Sequence, residues 1–151
     1  MSEHRATVTW RRGDVDFTYE KYSRDHTWSF TGGIEIPASA APTYLGSGER
    51  VDPEEAFVAS LSSCHMLTFL ALAARKRYVV ESYRDAAVGV LEKNDAGKLA
   101  VTRVVLRPEI EFSGDNRPSA DEIEHLHGLS HSHCFIAQSV KIQITVESAR
   151  G

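Results

Sequence analysis

The chain reads as an α+β protein, and three observations predict it. Apolar and polar residues alternate near the N-terminus and again beyond residue 79, as half-buried strands require. A stretch of nineteen residues without formal charge, Ala56 to Ala74, follows a helix-start signal. A second helix-start signal and a β-branched run close the chain. With 151 residues, 42% hydrophobic and 25% charged, the size and composition suit a single globular domain over residues 1–151.

Thr7, Thr9 and Arg11 interleave with Ala6, Val8 and Trp10, and Val15, Phe17 and Tyr19 with Asp16, Thr18 and Glu20, so a hairpin turning at Gly13-Asp14 is expected. A third strand runs from Asp25 to Phe30, is stopped or bent by Gly32-Gly33, and extends through Ile34 and Ile36. Pro, Ala, Ser and Gly dominate Pro37 to Arg50, which is therefore a long loop.

Asp52 is a good N-cap, Pro53 suits the first helical position, and Glu55 falls three residues after the cap, so a helix starts there. Arg75-Lys76-Arg77 closes it with cations suited to a C-terminus. Its uncharged length raises the question of a membrane span. Ser60, Ser62, Ser63, His65 and Thr68 dilute the apolar run and strand patterns flank it, so the expectation is no membrane but a central helix buried nearly all round, between a sheet and a second chain.

Val79 to Leu91 and Leu99 to Phe112 read as two strands joined at Asn94-Asp95-Ala96-Gly97, where Gly takes the positive φ. Ser119 and Glu122 form a capping box for a second helix through Ile123 and Leu126 toward Ser130. A short turn begins at Cys134, and Lys141 to Val146 is a closing strand.

The net charge of −4 and a longest basic run of three residues exclude a nucleic-acid binder, which needs a basic stripe. Two cysteines are too few for an extracellular disulfide framework, and no apolar signal core follows Met1, so a cytoplasmic location is expected.

Cys64 lies midway along the first helix and Cys134 seventy residues later, after His131-Ser132-His133. A cysteine on an apolar helix is by itself a small core residue; it becomes reactive when a cation holds it as thiolate. Glu54 alone is a first-turn carboxylate favoured by the helix dipole, and Arg24 alone a strand surface residue. His65 points about 100° away from Cys64 around the helix and reads as a packing residue with a hydrogen bond. His127 and His131 share a helical face, and with His125, His133 and Cys134 they raise a metal-binding or redox-sensing alternative.

Pro53-Glu54-Glu55-Ala56-Phe57, then Ala59 and Ser62-Ser63-Cys64, resembles the helix signature of the OsmC/Ohr family, the osmotically inducible and organic hydroperoxide resistance proteins, in which a Glu just after Pro precedes the reactive Cys by ten positions. His131-Ser132-His133-Cys134 is similar to the segment carrying the family's second cysteine, and the family's early arginine maps onto Arg24, with Arg12 and Arg50 as competitors. Phe135-Ile136-Ala137 in place of a following Pro, and Tyr22-Ser23 in place of early glycines, mark a divergent OsmC-like member.

The resemblance implies an OsmC-like fold of antiparallel sheets about a long buried helix in an intertwined homodimer. It also implies a thiol peroxidase that uses no cofactor and no metal. Cys64 would attack an organic hydroperoxide and become a sulfenic acid, Cys134 would condense with it to a disulfide, and an external dithiol, such as a lipoyl-type one, would restore both. Arg24 would favour the thiolate and Glu54 would orient Arg24. Glu54 and Cys64 are separated by about 15 Å along one helix and roughly 80° around it, so they cannot touch within that helix and the arginine must bridge them or a partner chain supply one of them. A non-catalytic ligand-binding protein on the same scaffold is the remaining alternative.

Overall fold

A computed structural model describes residues 1–149. The α+β prediction holds. The chain divides into two compact units, residues 1–56 and the residues from Phe57 onward.

The first unit is a three-stranded antiparallel sheet of β1 (Ala6–Thr9), β2 (His26–Phe30) and β3 (Glu35–Ala38), in the order β1-β2-β3. β1 pairs with β2, Val8 opposite Trp28, and the expected strand over Val15 to Glu20 does not form. The reason is local. Thr18 carbonyl oxygen accepts from the amides of Lys21 and Tyr22, and the Arg24 guanidinium takes the carbonyls of Tyr19 and Tyr22, so the groups a ladder would need are engaged in turns. Gly32 and Gly33, with φ of 92° and 80°, fold β3 back onto β2 and set Trp28 opposite Ile36.

The loop after β3 holds a single 3-10 turn, Pro42–Tyr44, and returns to a parallel bridge between Ala38 and Val51. Ser39 is fully buried and its Oγ accepts from Ser47 N at 3.1 Å. At Gly46 an added Cβ would sit 1.6 Å from the Ala40 carbonyl oxygen, so only glycine fits there.

Helix α1 (Pro53–Arg75) starts where the cap residues predict: Asp52 Oδ1 accepts from Glu55 N at 2.8 Å and Glu55 Oε2 accepts from Asp52 N at 3.2 Å. It ends with Arg77 in the left-handed region, φ 60°, and Tyr78 N donating to Ala73 O. Length and composition alone would let it cross a membrane. Within the single chain one stripe of the helix is buried. Only Leu61, His65, Phe69 and Ala73, spaced by four, are buried, while Leu67 is 61% exposed.

The two long strands expected after α1 are four: β4 (Val79–Asp85), β5 (Val88–Lys93), β6 (Leu99–Leu106) and β7 (Pro108–Ser113). β4 pairs with β7 and β5 with β6, so both long strands break in the same place. Asp85 explains the break, since Oδ1 accepts from Arg107 N at 2.6 Å and Oδ2 from Ser62 Oγ at 2.5 Å, and Pro108 has no N–H to offer a ladder. The turn at Asn94 to Gly97 forms as expected, Asn94 Oδ1 accepting from Ala96 N and Lys98 N. The closing strand β8 (Gln143–Val146) joins β6 in parallel. Helix α2 (Ala120–His133) has both halves of the Ser119–Glu122 capping box, and the short α3 (Phe135–Gln138) follows Cys134.

Two apolar clusters hold this second unit. Leu61, Val104 and Leu106 pack with Ile136, Ile142 and Ile144, and Phe69, Ala73 and Leu126 pack with Tyr83, Ile110 and Phe112. Ser62 also ties α1 to β4 through Asp85, and Cys64 lies two residues further along the helix.

Candidate active site

In the first unit Trp10, Phe17 and Tyr22 form an aromatic cluster, with ring centroids 5.2 to 6.1 Å apart, along a cavity of about 580 Å³. Arg24 and Glu54 both line this cavity. The guanidinium lies 3.8 Å from the Tyr22 ring centroid and 5.0 Å from that of Tyr19. Its Nη1 donates to Tyr22 O at 2.6 Å and its Nη2 to Tyr19 O at 2.5 Å, so its hydrogen bonds go to carbonyls rather than to Glu54. Of the three arginines singled out in the sequence, Arg24 is the one lining the cavity. Arg50 is taken up by Asp25 at 3.4 Å and by His26 O, and Arg12 by Val15 O.

In the second unit Cys64 is half-buried on α1 and Cys134 is fully buried at the joint between α2 and α3. Both thiols are free. The short helix after Cys134 turns the chain back, so that Ala137 N donates to Sγ at 3.4 Å. Burial pushes the Cys134 thiol up, and the neighbouring Cys64 side chain pushes it further, although seventy residues separate the two. A thiol raised in this way stays protonated at neutral pH and is a poor first nucleophile.

His65 is buried, as a packing residue should be, and its Nε2 meets Nδ1 of buried His127 at 3.0 Å. The remaining histidines of the cluster do not gather. His125 and His133 are exposed, and His133 Nδ1 bonds Leu129 O of its own helix. Among the described residues no three His, Cys, Asp or Glu side chains come close enough to hold a metal ion, so the metal-binding alternative has no geometric basis there. The sequence reading missed Tyr19, Tyr22 and Trp10 as neighbours of Arg24 and missed Asp85 beside Ser62; aromatic spacing in a turn and one acid in a strand carry no periodic signal.

Comparison with known proteins finds that residues 46–149 match the family described as OsmC-like protein. The chain belongs to the OsmC family. An OsmC-like protein of unknown function from Vibrio cholerae is 55% identical, with a TM-score of 0.95 over 98% of this chain and 99% of that one. The fold is shared more distantly with an organic hydroperoxide resistance protein from Elizabethkingia anophelis, 15% identical with a TM-score of 0.76 over 100% and 98% of the two chains. It is also shared with one from Legionella pneumophila, 15% identical with a TM-score of 0.68 over 98% and 96%. Among curated proteins none matches this sequence. Glu54, Cys64 and Cys134 lie inside the stretch that matches the OsmC family, and Arg24 lies before it.

Proposed function

We propose that this OsmC-family protein is a cysteine-based thiol peroxidase that reduces organic hydroperoxides, with Cys64 as the peroxidatic and Cys134 as the resolving residue. The observation that carries this reading is the pair of neighbouring free thiols, Cys64 half-buried and Cys134 buried with its thiol raised. Two similar folds are those of organic hydroperoxide resistance proteins, which favours the same substrate class.

The Cys64 thiolate attacks the distal oxygen of the hydroperoxide, the O–O bond breaks, and the alkoxide leaves as alcohol after taking a proton. Cys64 is then a sulfenic acid. Cys134 attacks its sulfur, water departs, and a disulfide joins the two; an external dithiol, of the lipoyl type, reduces it by exchange. Arg24 holds the thiolate and the negative charge growing on the leaving oxygen, Glu54 orients Arg24, and the aromatic wall of Trp10, Phe17 and Tyr22 receives the organic group.

The protein acts in the cytosol as a homodimer whose partner chain covers the faces of α1 left open here. Support comes from the single buried stripe of that apolar helix and from two unpaired thiols, which suit a reducing compartment.

Stoichiometric cumene hydroperoxide should convert the wild type to an intramolecular Cys64–Cys134 disulfide and trap a sulfenic acid at Cys64 in Cys134→Ser, both read by intact-protein mass spectrometry. Unchanged free thiols in both proteins would end the peroxidase reading.

A further inference from the structure

Arg24 lies two residues before β2, outside any ladder, yet the carbonyls around it are all held by side chains. Tyr22 O accepts from Arg24 Nη1 at 2.6 Å, Ser23 O from Trp10 Nε1 at 2.7 Å, and Arg24 O is met by His26 Nδ1 at 2.7 Å. Asp25 N donates to Ser23 Oγ at 3.1 Å. A guanidinium, an indole and an imidazole thus fix three consecutive peptide planes of an irregular segment.

His26 is the member of this set that is mounted on the sheet. It opens β2, and its backbone pairs with fully buried Ala38 of β3. Trp28, two residues on and therefore on the same face, donates from Nε1 to His26 Nε2 at 3.0 Å, with ring centroids 6.0 Å apart. An indole nitrogen can only donate. His26 Nε2 is therefore the acceptor, Nδ1 carries the proton, and Nδ1 donates to Arg24 O: the two hydrogen bonds admit one tautomer.

His26 lines the same cavity as Arg24 and Glu54, but both of its ring nitrogens are occupied, so it is not free to give or take a proton there. The neighbouring charges leave the ring alone. Arg50 bonds His26 through the main-chain carbonyl, at 3.3 Å, and pairs with Asp25 at 3.4 Å. With the peptide planes before and after Arg24 held, the direction in which its side chain leaves the backbone is set, and a guanidinium set in advance needs no reordering when charge develops.

We propose that His26 is a positioning residue for Arg24: in the Nδ1–H tautomer, which Trp28 selects, it clamps the Arg24 carbonyl and thereby sets where the guanidinium stands. Its effect on the reaction rests on the reading of Arg24 as the group that holds the Cys64 thiolate; the clamp itself does not.

Two variants of the full chain separate the clamp from the bulk of the ring. His26→Phe keeps the bulk and loses the donor, whereas His26→Asn keeps a side-chain N–H near the place of Nδ1. Both lose the acceptor for Trp28, so their difference reports on Arg24 O. By ¹⁵N NMR the wild type should show the Nδ1–H tautomer at His26, and the Arg24 Nη signals should be resolved in the wild type and in His26→Asn but averaged in His26→Phe. In stopped flow with cumene hydroperoxide, His26→Phe should oxidise about tenfold more slowly than the wild type and His26→Asn within about twofold of it, as a displaced but intact catalytic group requires. An Nε2–H tautomer in the wild type, or an asparagine variant with averaged Arg24 signals, would overturn the clamp, and both measurements stand if His26→Phe does not fold. Expected spectra with equal rates in all three proteins would overturn its part in the reaction. A wild type inert to hydroperoxide would instead end the peroxidase reading, and the spectra alone would then decide the clamp.

Discussion

His65 on α1 and His127 on α2 are 62 residues apart in the chain, yet their rings meet edge to edge, with Nε2 and Nδ1 3.0 Å apart, centroids 5.3 Å apart and planes 14° from parallel. Nε2 of one and Nδ1 of the other share a single proton, so at least one ring must stay neutral for the bond to exist. Phe69 packs against His127 with ring centroids 4.6 Å apart, closing the pair off from water. Burial holds both imidazoles down to about 4; the Asp85 carboxylate opposes that shift at His65, and His131 adds to it.

This pair makes stability fall in mild acid. The folded-state pKa of about 4 lies below the 6.5 of an ordinary histidine, so the neutral form is favoured by folding. Above pH 6.5 neither state binds the proton. Between 6.5 and 4 the unfolded chain binds protons that the folded chain refuses, so the contribution, on the order of 3 kcal/mol per histidine at most, is lost across that window and then levels off. Urea midpoints should drop from pH 7.5 to pH 4.5 in the wild type and drop less in the double variant His65→Leu/His127→Phe. Equal slopes in the two proteins would show that other groups govern the acid limb.

Arg24 and Glu54 should behave as one unit toward Cys64. A cation lowers a thiol pKa and a carboxylate alone raises it, so Glu54 helps only by orienting the guanidinium. Arg24→Ala should slow the reaction with hydroperoxide by about 10²-fold, as removal of a typical electrostatic group does. Glu54→Ala should cost less, and the double variant should be little worse than Arg24→Ala. Stopped-flow rates of thiol oxidation measure all three; a wild-type rate in Arg24→Ala would shift attention to Arg12 or Arg50.

Phe69 should be the costliest truncation on α1. It is fully buried and touches both His127 and Tyr83, the latter at 5.9 Å between centroids. Phe69→Ala should lose about 3–5 kcal/mol, the transfer term plus a cavity, whereas Phe69→Leu should lose distinctly less. Chemical denaturation gives both numbers, and a loss below about 1 kcal/mol for alanine would mean that the neighbours collapse into the gap.

What was legible beforehand is local. Asp52, Pro53 and Glu55 announce α1, Ser119 and Glu122 announce α2, and Asn94 to Gly97 make the turn between β5 and β6, because each signal acts through residues at most four apart in the chain. The same local reading misassigned Val15 to Glu20. Its alternation suits a strand, but Phe17 packs on Trp10 and Tyr22 at the edge of a cavity, and Arg24 takes the carbonyls of that segment. The long strands also break where no local cue marks them, at Asp85, whose carboxylate bonds Ser62 of the helix and Arg107 of the facing strand.

The chemical inventory, two thiols, an arginine, a glutamate and a crowd of histidines, could be written from the residues alone, together with the helix that carries Cys64. Which of them meet could not. Cys64 finds Cys134 and His65 finds His127 only because α1 and α2 pack through Phe69, Ala73 and Leu126, while Arg12 and Arg50 are claimed by Val15 and Asp25. Helix caps and turns are decided by short-range hydrogen bonds that a few neighbouring residues supply. Pairings across sixty or seventy residues depend on how whole apolar faces fit, and that is settled only when the core closes.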